Sequence, residues 1–226
     1  MIRDMWPVVL RGVLVLGLFA LAWFGVAGRL DWLQGWAVLV FFTLFVGWLS
    51  WGLSQANPEL MRERNRPGGT VERWDVVVLR AYYVVLVLQL AISALDSGRF
   101  HWSSVPAGFQ ILGWLLLGMA GAVIWRVMLE NAYLSSWARL QQDRGQVVVS
   151  TGPYRWIRHP MYLGIMMAFL GMSLALASWW ALLPGLINVG LFVYRTYRED
   201  EMLKEGLAGY EEYAEKVRFR LLPQIW

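Results

Sequence analysis

The stretch PMYLGIMMAFLGMSLALASWWALLPGLINVGLFVY, residues 160–194, runs for 35 residues without Asp, Glu, Lys or Arg. At 1.5 Å per residue a single helix of that length would measure ~50 Å, more than the ~30 Å hydrocarbon core of a bilayer. Ser178-Trp179-Trp180 near its middle predicts a tight turn, and hence two membrane helices paired as a hairpin. The segment therefore indicates an integral membrane protein.

Further charge-poor segments precede this hairpin. The chain is 58% hydrophobic and 16% charged, whereas soluble domains average about 45–50% apolar and about 25% charged residues. We predict an all-α fold with about six transmembrane helices, the last two forming the hairpin, followed by a cytoplasmic C-terminal helical tail. The predicted helices lie at about 8–28, 33–53, 76–95, 108–128, 161–177 and 180–198.

The positive charges are distributed unevenly around these helices. With the N-terminus in the cytoplasm, 18 of the 20 Lys and Arg residues fall on the cytoplasmic side, and only Arg29 and Arg99 fall outside. Cytoplasmic loops of membrane proteins carry an excess of Lys and Arg. The charge distribution therefore predicts that both termini are cytoplasmic.

The composition also restricts the chemistry. The chain has no Cys and two His, which excludes disulfides, thiolate nucleophiles and Cys-ligated metals, and argues against a histidine metal centre. The polar segments are too short for an independent soluble domain. We predict one domain over 1–226, in which 1–128 is a four-helix membrane part and 129–226 carries the site.

The segment QVVVSTGPYRWIRHPMYLG, residues 146–164, has the highest density of candidate site residues. A turn sequence, two arginines and His159 precede Pro160, which suits the first turn of a helix. A helix N-terminus with cations nearby favours an anionic group such as a carboxylate. The same residues also fit a purely structural role, with Arg155 and Arg158 anchored at the membrane interface and His159 capping the helix.

A second candidate follows the hairpin directly. Arg195 and Glu199 are four residues apart, so they share one face of a helix near the membrane surface. They have the charges to bind the two ends of a zwitterion, or to form a surface ion pair with each other.

The basic and aromatic tail, residues 210–226, suits membrane lipid headgroups. We expect no nucleic-acid partner. The chain contains neither a Gly-x-Gly-x-x-Gly sequence nor a Walker phosphate loop, which argues against a Rossmann-type cofactor domain.

These motifs together resemble the isoprenylcysteine carboxyl methyltransferase family, in particular its bacterial branch. The similarity covers about residue 141 to the C-terminus, and its Arg-His-Pro-x-Tyr element is shared with phospholipid methyltransferases. The motifs are Thr151-Gly-Pro-Tyr154, Arg158-His-Pro-Met-Tyr162-Leu-Gly164, Arg195-x-x-x-Glu199-Asp200-x-x-Leu203, and Tyr210-x-x-Tyr213 with Arg220-Leu-Leu-Pro223-x-x-Trp226.

The resemblance implies a membrane methyltransferase that uses S-adenosylmethionine, releases S-adenosylhomocysteine and needs no metal. It implies a lipophilic methyl acceptor, nominally a prenylcysteine carboxylate, that enters from the bilayer, and a location in the bacterial inner membrane. Arg195 and Glu199 would be catalytic, with Arg195 also binding the acceptor. The implied cofactor-binding residues are Gln141, Gln146, Val147, Val148, Val149, Tyr154, His159, Pro160, Met161, Tyr162 and Glu199.

Two features depart from the family pattern. Asp200 replaces a second Glu, and Leu207-Ala208-Gly209 replaces the Phe-Gly that often precedes the paired tyrosines. Both bear on the geometry of the tail. The acceptor type and the oligomeric state stay open at this point.

Three other functions compete with this one. An amine or thiol methyltransferase of a lipid or small hydrophobic molecule would need a base, for which Glu199 and His159 are the nearest residues. A sterol-reductase-like NADPH oxidoreductase would need a basic cluster for the 2′-phosphate, and none stands out. A small transporter or assembly factor would carry charges inside its helices, where only Arg11 and Arg80 are expected.

Overall fold

The computed structural model describes residues 2–65 and 70–226, with side chains described for residues 14–64 and 70–226. Over these residues the fold is helical, without strands. The α-helices are α1 (Ile2–Ala27), α2 (Leu33–Ala56), α3 (Pro58–Asn65), α4 (Arg73–Ser93), α5 (Ala107–Glu130), α6 (Pro160–Ala175), α7 (Leu182–Gly206) and α8 (Tyr210–Lys216). The predicted all-α fold class is confirmed.

Three helical segments of the described chain are long and apolar enough to cross a membrane. They are Leu33–Ala56, Arg73–Phe100 and Ala107–Glu130, while Leu14–Ala27 and Pro160–Ala175 are shorter apolar helices. Many of their large apolar side chains are exposed on the outside of the bundle, as a lipid-facing surface requires. These helices support an integral membrane protein, and the count of six crossings stays a prediction.

α6 and α7 form the predicted helical hairpin, and a membrane crossing by α7 stays a prediction. α6 ends at Ala175, and α7 begins at Leu182 after a turn in which Ala177 has a φ of 56°. Ser178 shapes the turn, because its amide donates to the Ser173 carbonyl at 3.1 Å and its hydroxyl accepts from the Ala181 amide at 3.1 Å. α7 continues eight residues beyond the predicted membrane boundary at 198, so Asp200 lies on the same helix as Arg195.

Two segments differ from the sequence prediction. Part of the loop expected at 54–75 is the helix α3, because the Asn57 side chain accepts from the Leu60 amide at 3.0 Å and Pro58 occupies the first helical position. α4 begins at Arg73 and continues as a π-helix, Ala94–Phe100. It therefore contains two buried carboxylates, Asp75 and Asp96, in addition to the expected Arg80. The other charge expected in a helix, Arg11, lies outside the residues whose side chains are described.

α5 and α6 are in direct backbone contact. A Cβ atom on Gly113 would lie 2.5 Å from the Ala175 amide nitrogen, and one on Gly171 would lie 2.8 Å from the Gly113 carbonyl oxygen. Small residues allow such contact between membrane helices. Nearer the start of α6, a Cβ atom on Gly164 would lie 3.3 Å from the Ala120 carbonyl oxygen, so the two helices pack closely along α6 towards the candidate site.

The loops gather at two ends of the bundle. At the first, which we call the pocket end, segments 57–65, 70–75, 131–160 and 199–226 meet, with the Glu72 amide bonded to the Ala138 carbonyl at 3.2 Å and the Arg158 amide to the Phe219 carbonyl at 2.9 Å. At the other, the far end, segments 28–33, 96–106 and 176–181 meet. The two long loops and the C-terminal segment, all on the predicted cytoplasmic side, thus share one end of the bundle.

Candidate active site

The pocket end encloses a cavity of about 270 Å³. Its walls come from α3, α4, the 131–149 segment, the first turn of α6, α7 and α8. Most of the site residues predicted from the sequence line this one cavity. These are Gln146, Val147, Val148, Val149, Tyr154, His159, Met161, Tyr162, Arg195 and Glu199.

Two predicted residues, Gln141 and Pro160, are not among the lining residues. Gln141 is buried, and its backbone amide donates to the Gln146 side chain at 2.7 Å while its own side-chain oxygen accepts from Arg144 at 2.6 Å. Gln141 therefore holds the turn that presents Gln146. Pro160 is buried at the start of α6 and fixes the direction of its first turn. Contact of either residue with a cofactor stays a prediction.

Aromatic side chains form the centre of the cavity. The His159 and Tyr162 rings are parallel, with centroids 5.7 Å apart, and the Tyr162 hydroxyl donates to Glu199. The Tyr154 hydroxyl accepts a hydrogen bond from the side-chain Nδ2 of Asn131 at 2.8 Å. Burial raises the pKa of the Tyr154 phenol well above its usual range, so this side chain is neutral at physiological pH.

Arg195 pairs with Asp75 on α4 rather than with Glu199. Its Nε and Nη2 atoms lie 2.7 and 3.1 Å from the two carboxylate oxygens, and Nη2 also donates to the Ser136 carbonyl at 3.1 Å. The guanidinium lies 5.1 Å from the centre of the Tyr162 ring. Its Nη1 makes no hydrogen bond with any described residue, so one donor edge is free at the cavity. The simple ion pair between Arg195 and Glu199 that the spacing permits is not formed.

Asp200 organises the wall beside His159. Arg158 binds its two oxygens through Nε at 2.7 Å and Nη2 at 2.9 Å, and Arg220 donates at 2.9 Å. The Tyr210 hydroxyl donates at 2.9 Å, and His159 Nε2 lies 3.3 Å away. The shorter carboxylate at this position thus connects the start of α6, α7, α8 and the C-terminal segment.

These contacts determine the charge state of Asp200. Burial alone would raise the pKa of the Asp200 carboxyl, but the hydrogen bonds from His159 and Arg158 and the charge of the Arg158 guanidinium outweigh it and hold the pKa well below its ordinary value. Asp200 is therefore ionised at physiological pH. The purely structural interpretation of the motif needs correcting, because Arg158 is buried in this ion pair instead of anchored at an interface. His159 occupies the N-cap position, but its side chain faces Asp200 and forms no cap.

Sequence reasoning missed several contacts of the lining residues because the partners are distant in the chain. Asp75 and Arg195 are 120 residues apart, and Asn131 and Tyr154 are 23 apart. Arg64, on a helix that was predicted as a loop, also lines the cavity. The one usable signal was Asp75 itself, a lone carboxylate directly before an apolar run.

Residues 109–208 match the family model of the phospholipid methyltransferases. This region belongs to that family of membrane methyltransferases. The match runs from the first turn of α5 to just after α7, so it contains the backbone-packed α5–α6 pair, the turn before Pro160, Arg195 and Glu199. No curated protein matches the chain. The family match confirms the resemblance drawn from the motifs and indicates membrane methyltransferase activity, while the assignment to the bacterial branch stays a prediction.

Proposed function

We propose that this protein transfers the methyl group of S-adenosylmethionine to a lipophilic acceptor held at the membrane, nominally the carboxylate of a prenylcysteine-like molecule. The observation that carries the proposal is the pocket-end cavity. Residues expected to bind the cofactor line it together with Arg195, which is expected to bind the acceptor. S-adenosylmethionine supplies a methyl group bound to a sulfonium, a good leaving group.

The lining residues fit the parts of this cofactor. Glu199 has no cationic partner among the described residues and presents a carboxylate for the ammonium group. The first turn of α6, beside His159, suits the carboxylate. The faces of Tyr154 and Tyr162 suit a sulfonium cation.

The acceptor would approach from the bilayer. A second, apolar cavity of about 310 Å³ lies between α1, α2, α4, α5 and α6, and it shares Tyr82 and Ile165 with the pocket-end cavity. A prenyl or acyl chain placed there would bring its polar end towards Tyr162 and Arg195. The free Nη1 of Arg195 would hold a carboxylate in line with the methyl group, and alignment supplies much of the rate enhancement in such a displacement.

A carboxylate acceptor requires no general base, because it is ionised at neutral pH. An amine acceptor would require one. Both candidate bases are engaged, since Glu199 accepts from Tyr162 and His159 faces Asp200. This arrangement favours the carboxylate acceptor over the amine alternative.

The cofactor is tested by binding in detergent. Purified, chelator-treated protein should bind S-adenosylhomocysteine saturably and should not bind NADPH. Binding of NADPH alone would support the oxidoreductase alternative, and binding of neither would support a transporter or assembly factor.

The roles of Arg195 and Glu199 are tested with two variants. Glu199→Gln should weaken cofactor binding by roughly 1.5–3 kcal/mol, because a charge-assisted hydrogen bond is lost. Arg195→Lys keeps the charge but loses the planar fork, so it should leave cofactor affinity nearly unchanged and instead lower turnover or raise the acceptor KM.

The matched control is Arg198→Lys, since Arg198 lies on the same helix with its guanidinium over Trp74 and does not line the cavity. It should behave as wild type. Equal loss of cofactor affinity in Glu199→Gln and Arg195→Lys would reject the division of roles, and normal methyl transfer in both would reject a catalytic role for either residue.

A further inference from the structure

Arg64 differs from the other arginines of the pocket-end cavity. Arg158 pairs with Asp200 and Arg195 pairs with Asp75, both at 2.7 Å. Arg64 also lines the cavity, but its one hydrogen bond to the described part of the chain is from Nη1 to the Leu134 carbonyl at 3.1 Å. Among the described residues no carboxylate lies within ion-pair distance of it. Arg64 is therefore a cation at the cavity that no described side chain neutralises.

The position of Arg64 is fixed by its neighbours on α3. Glu63 is buried and accepts from Arg139 at 2.8 and 3.1 Å, which attaches α3 to the 131–149 segment. Arg62, one residue earlier, is exposed. With Glu63 held in this way, Arg64 lies on the side of the helix that faces Tyr82 and Tyr83 across the cavity.

Arg64 and Arg195 act on each other electrostatically. Burial and the positive charge of Arg195 lower the pKa of the Arg64 guanidinium, although not enough to deprotonate an arginine at physiological pH. Asp75 compensates the charge of Arg195, whereas Arg64 has no such partner among the described residues, and an uncompensated cation at a partly buried cavity is unfavourable unless an anion binds beside it. Glu199 lines the same cavity but forms no ion pair with Arg64.

We propose that Arg64, together with the free Nη1 of Arg195, binds the anionic headgroup of the methyl acceptor, so that the pocket selects lipophilic acceptors carrying a carboxylate or a phosphate over neutral or cationic ones. This inference rests on the proposed methyl transfer and specifies the acceptor class. Arg64 lies outside residues 109–208, so the selectivity would come from the part of the chain that the family match does not cover.

The test compares three ligands on protein saturated with S-adenosylhomocysteine. They are N-acetyl-S-farnesylcysteine, which is a carboxylate, its neutral carboxamide, and a single-chain phosphatidic acid. Wild type should bind at least one of the two anions about tenfold more tightly than the carboxamide, as expected for a charge-assisted contact. If it binds neither anion more tightly, the inference is wrong whatever the variants do.

Arg64→Gln should remove about tenfold of the affinity for the preferred anion, and leave the affinities for the carboxamide and for S-adenosylhomocysteine unchanged. Arg64→Lys should retain much of the preference, because the charge remains and only the planar fork is lost. The ligand whose affinity falls identifies the headgroup as carboxylate or phosphate. A fall for both anions means that the site recognises negative charge alone.

The matched control is Arg62→Gln, which removes an exposed guanidinium from the same helix and should bind all three ligands as wild type does. If Arg64→Gln lost equal affinity for the anion and for the carboxamide, the role of Arg64 would be to hold the 131–149 segment through the Leu134 carbonyl. That result would overturn the inference. The same conclusion holds if Arg64→Gln does not fold and Arg64→Lys binds the anion and the carboxamide equally. Failure of wild type to bind S-adenosylhomocysteine would instead count against the proposed function.

Discussion

Asp200 and Asp96 are both completely buried, yet they lie at opposite ends of the bundle and are stabilised in different ways. Asp200, at the pocket end, is bound by Arg158 and Arg220, with His159 and Tyr210 alongside. Asp96, at the far end, accepts from the Ser103 amide at 2.8 Å and from the hydroxyls of Ser103 and Ser178, both at 2.6 Å. The first carboxylate sits in an ionic cluster, and the second has neutral donors.

The difference separates two roles for a buried carboxylate. The far-end contacts fasten the π-helix to the turn between α6 and α7 and involve no second buried charge. The pocket-end contacts collect cations beside a cavity, where they also set the electrostatic field that a charged ligand would meet. Buried ion pairs are thus concentrated where chemistry is proposed, whereas the buried carboxylate at the far end is held by neutral donors.

The largest expected difference between the two ends is in accessibility from the two sides of a membrane. Because the background lacks Cys, single cysteines at the exposed positions Gln142 and Ser104 report one end each. Oriented vesicles should label Gln142→Cys only from the cytoplasmic side and Ser104→Cys only from the other. Labelling of both from the same side would reject the predicted topology.

Of the two substitutions Asp200→Asn and Asp96→Asn, Asp200→Asn should lower the stability of the protein more. Removing one member of a buried ion pair costs about 3–5 kcal/mol, because the remaining charges lose their partner. Unfolding in detergent should show this loss, and S-adenosylhomocysteine affinity should fall as the His159 wall relaxes. Glu205→Gln, at an exposed position on the same helix, is the control and should change neither quantity.

The contribution of Asp200 should also depend on pH with a defined sign. Its pKa is lowered in the folded state, so its stabilisation is present above the unfolded value of ~3.9 and is lost as the pH falls towards the folded value. The stability difference between wild type and Asp200→Asn should therefore be present at neutral pH and shrink below about pH 4. A difference that grows on acidification would contradict this assignment.

Asp96→Asn should have the smallest effect. One side-chain oxygen remains as an acceptor, and the serine hydroxyls can reorient, so a loss of about 1–3 kcal/mol is expected. Cofactor affinity should be unchanged, because the far end contributes no lining residue to the pocket-end cavity. If Asp96→Asn lowered S-adenosylhomocysteine affinity as much as Asp200→Asn does, the two ends would be coupled. The separate roles of the two carboxylates would then be rejected.

The sequence was sufficient for the hairpin and for most cavity residues because those signals are local. The uncharged run 160–194, the turn at Ser178 and the spacing of Arg195 and Glu199 are each read from one continuous stretch of chain. Asp75 could not be paired with Arg195 in the same way, since 120 residues separate them and helix packing decides the match. Arg64 was missed because the polar composition of α3 favours a loop unless the Asn57 cap is recognised.

The replacement of the family's second Glu by Asp200 shows the same limit of reasoning from sequence. The sequence indicated a shortened carboxylate, but its partners, Arg158, Tyr210 and Arg220, come together only through the fold of the tail. The sequence identified Asp200 itself, but it did not show which residues would bind the Asp200 carboxylate.

The attachment of Arg158 to the tail has a consequence for biosynthesis. Its Nη1 donates to the carbonyls of Val217 and Arg218, at 2.7 and 3.0 Å, and the amides of Arg158 and His159 donate to Phe219 and Arg220, at 2.9 Å each. A ribosome makes these partners after every residue that lines the cavity. During translation the membrane helices can insert while Arg158 still lacks these acceptors. The nascent chain therefore completes the Asp200 wall of the pocket-end cavity last, and a chain that ends before residue 217 would lack these acceptors for Arg158 and His159.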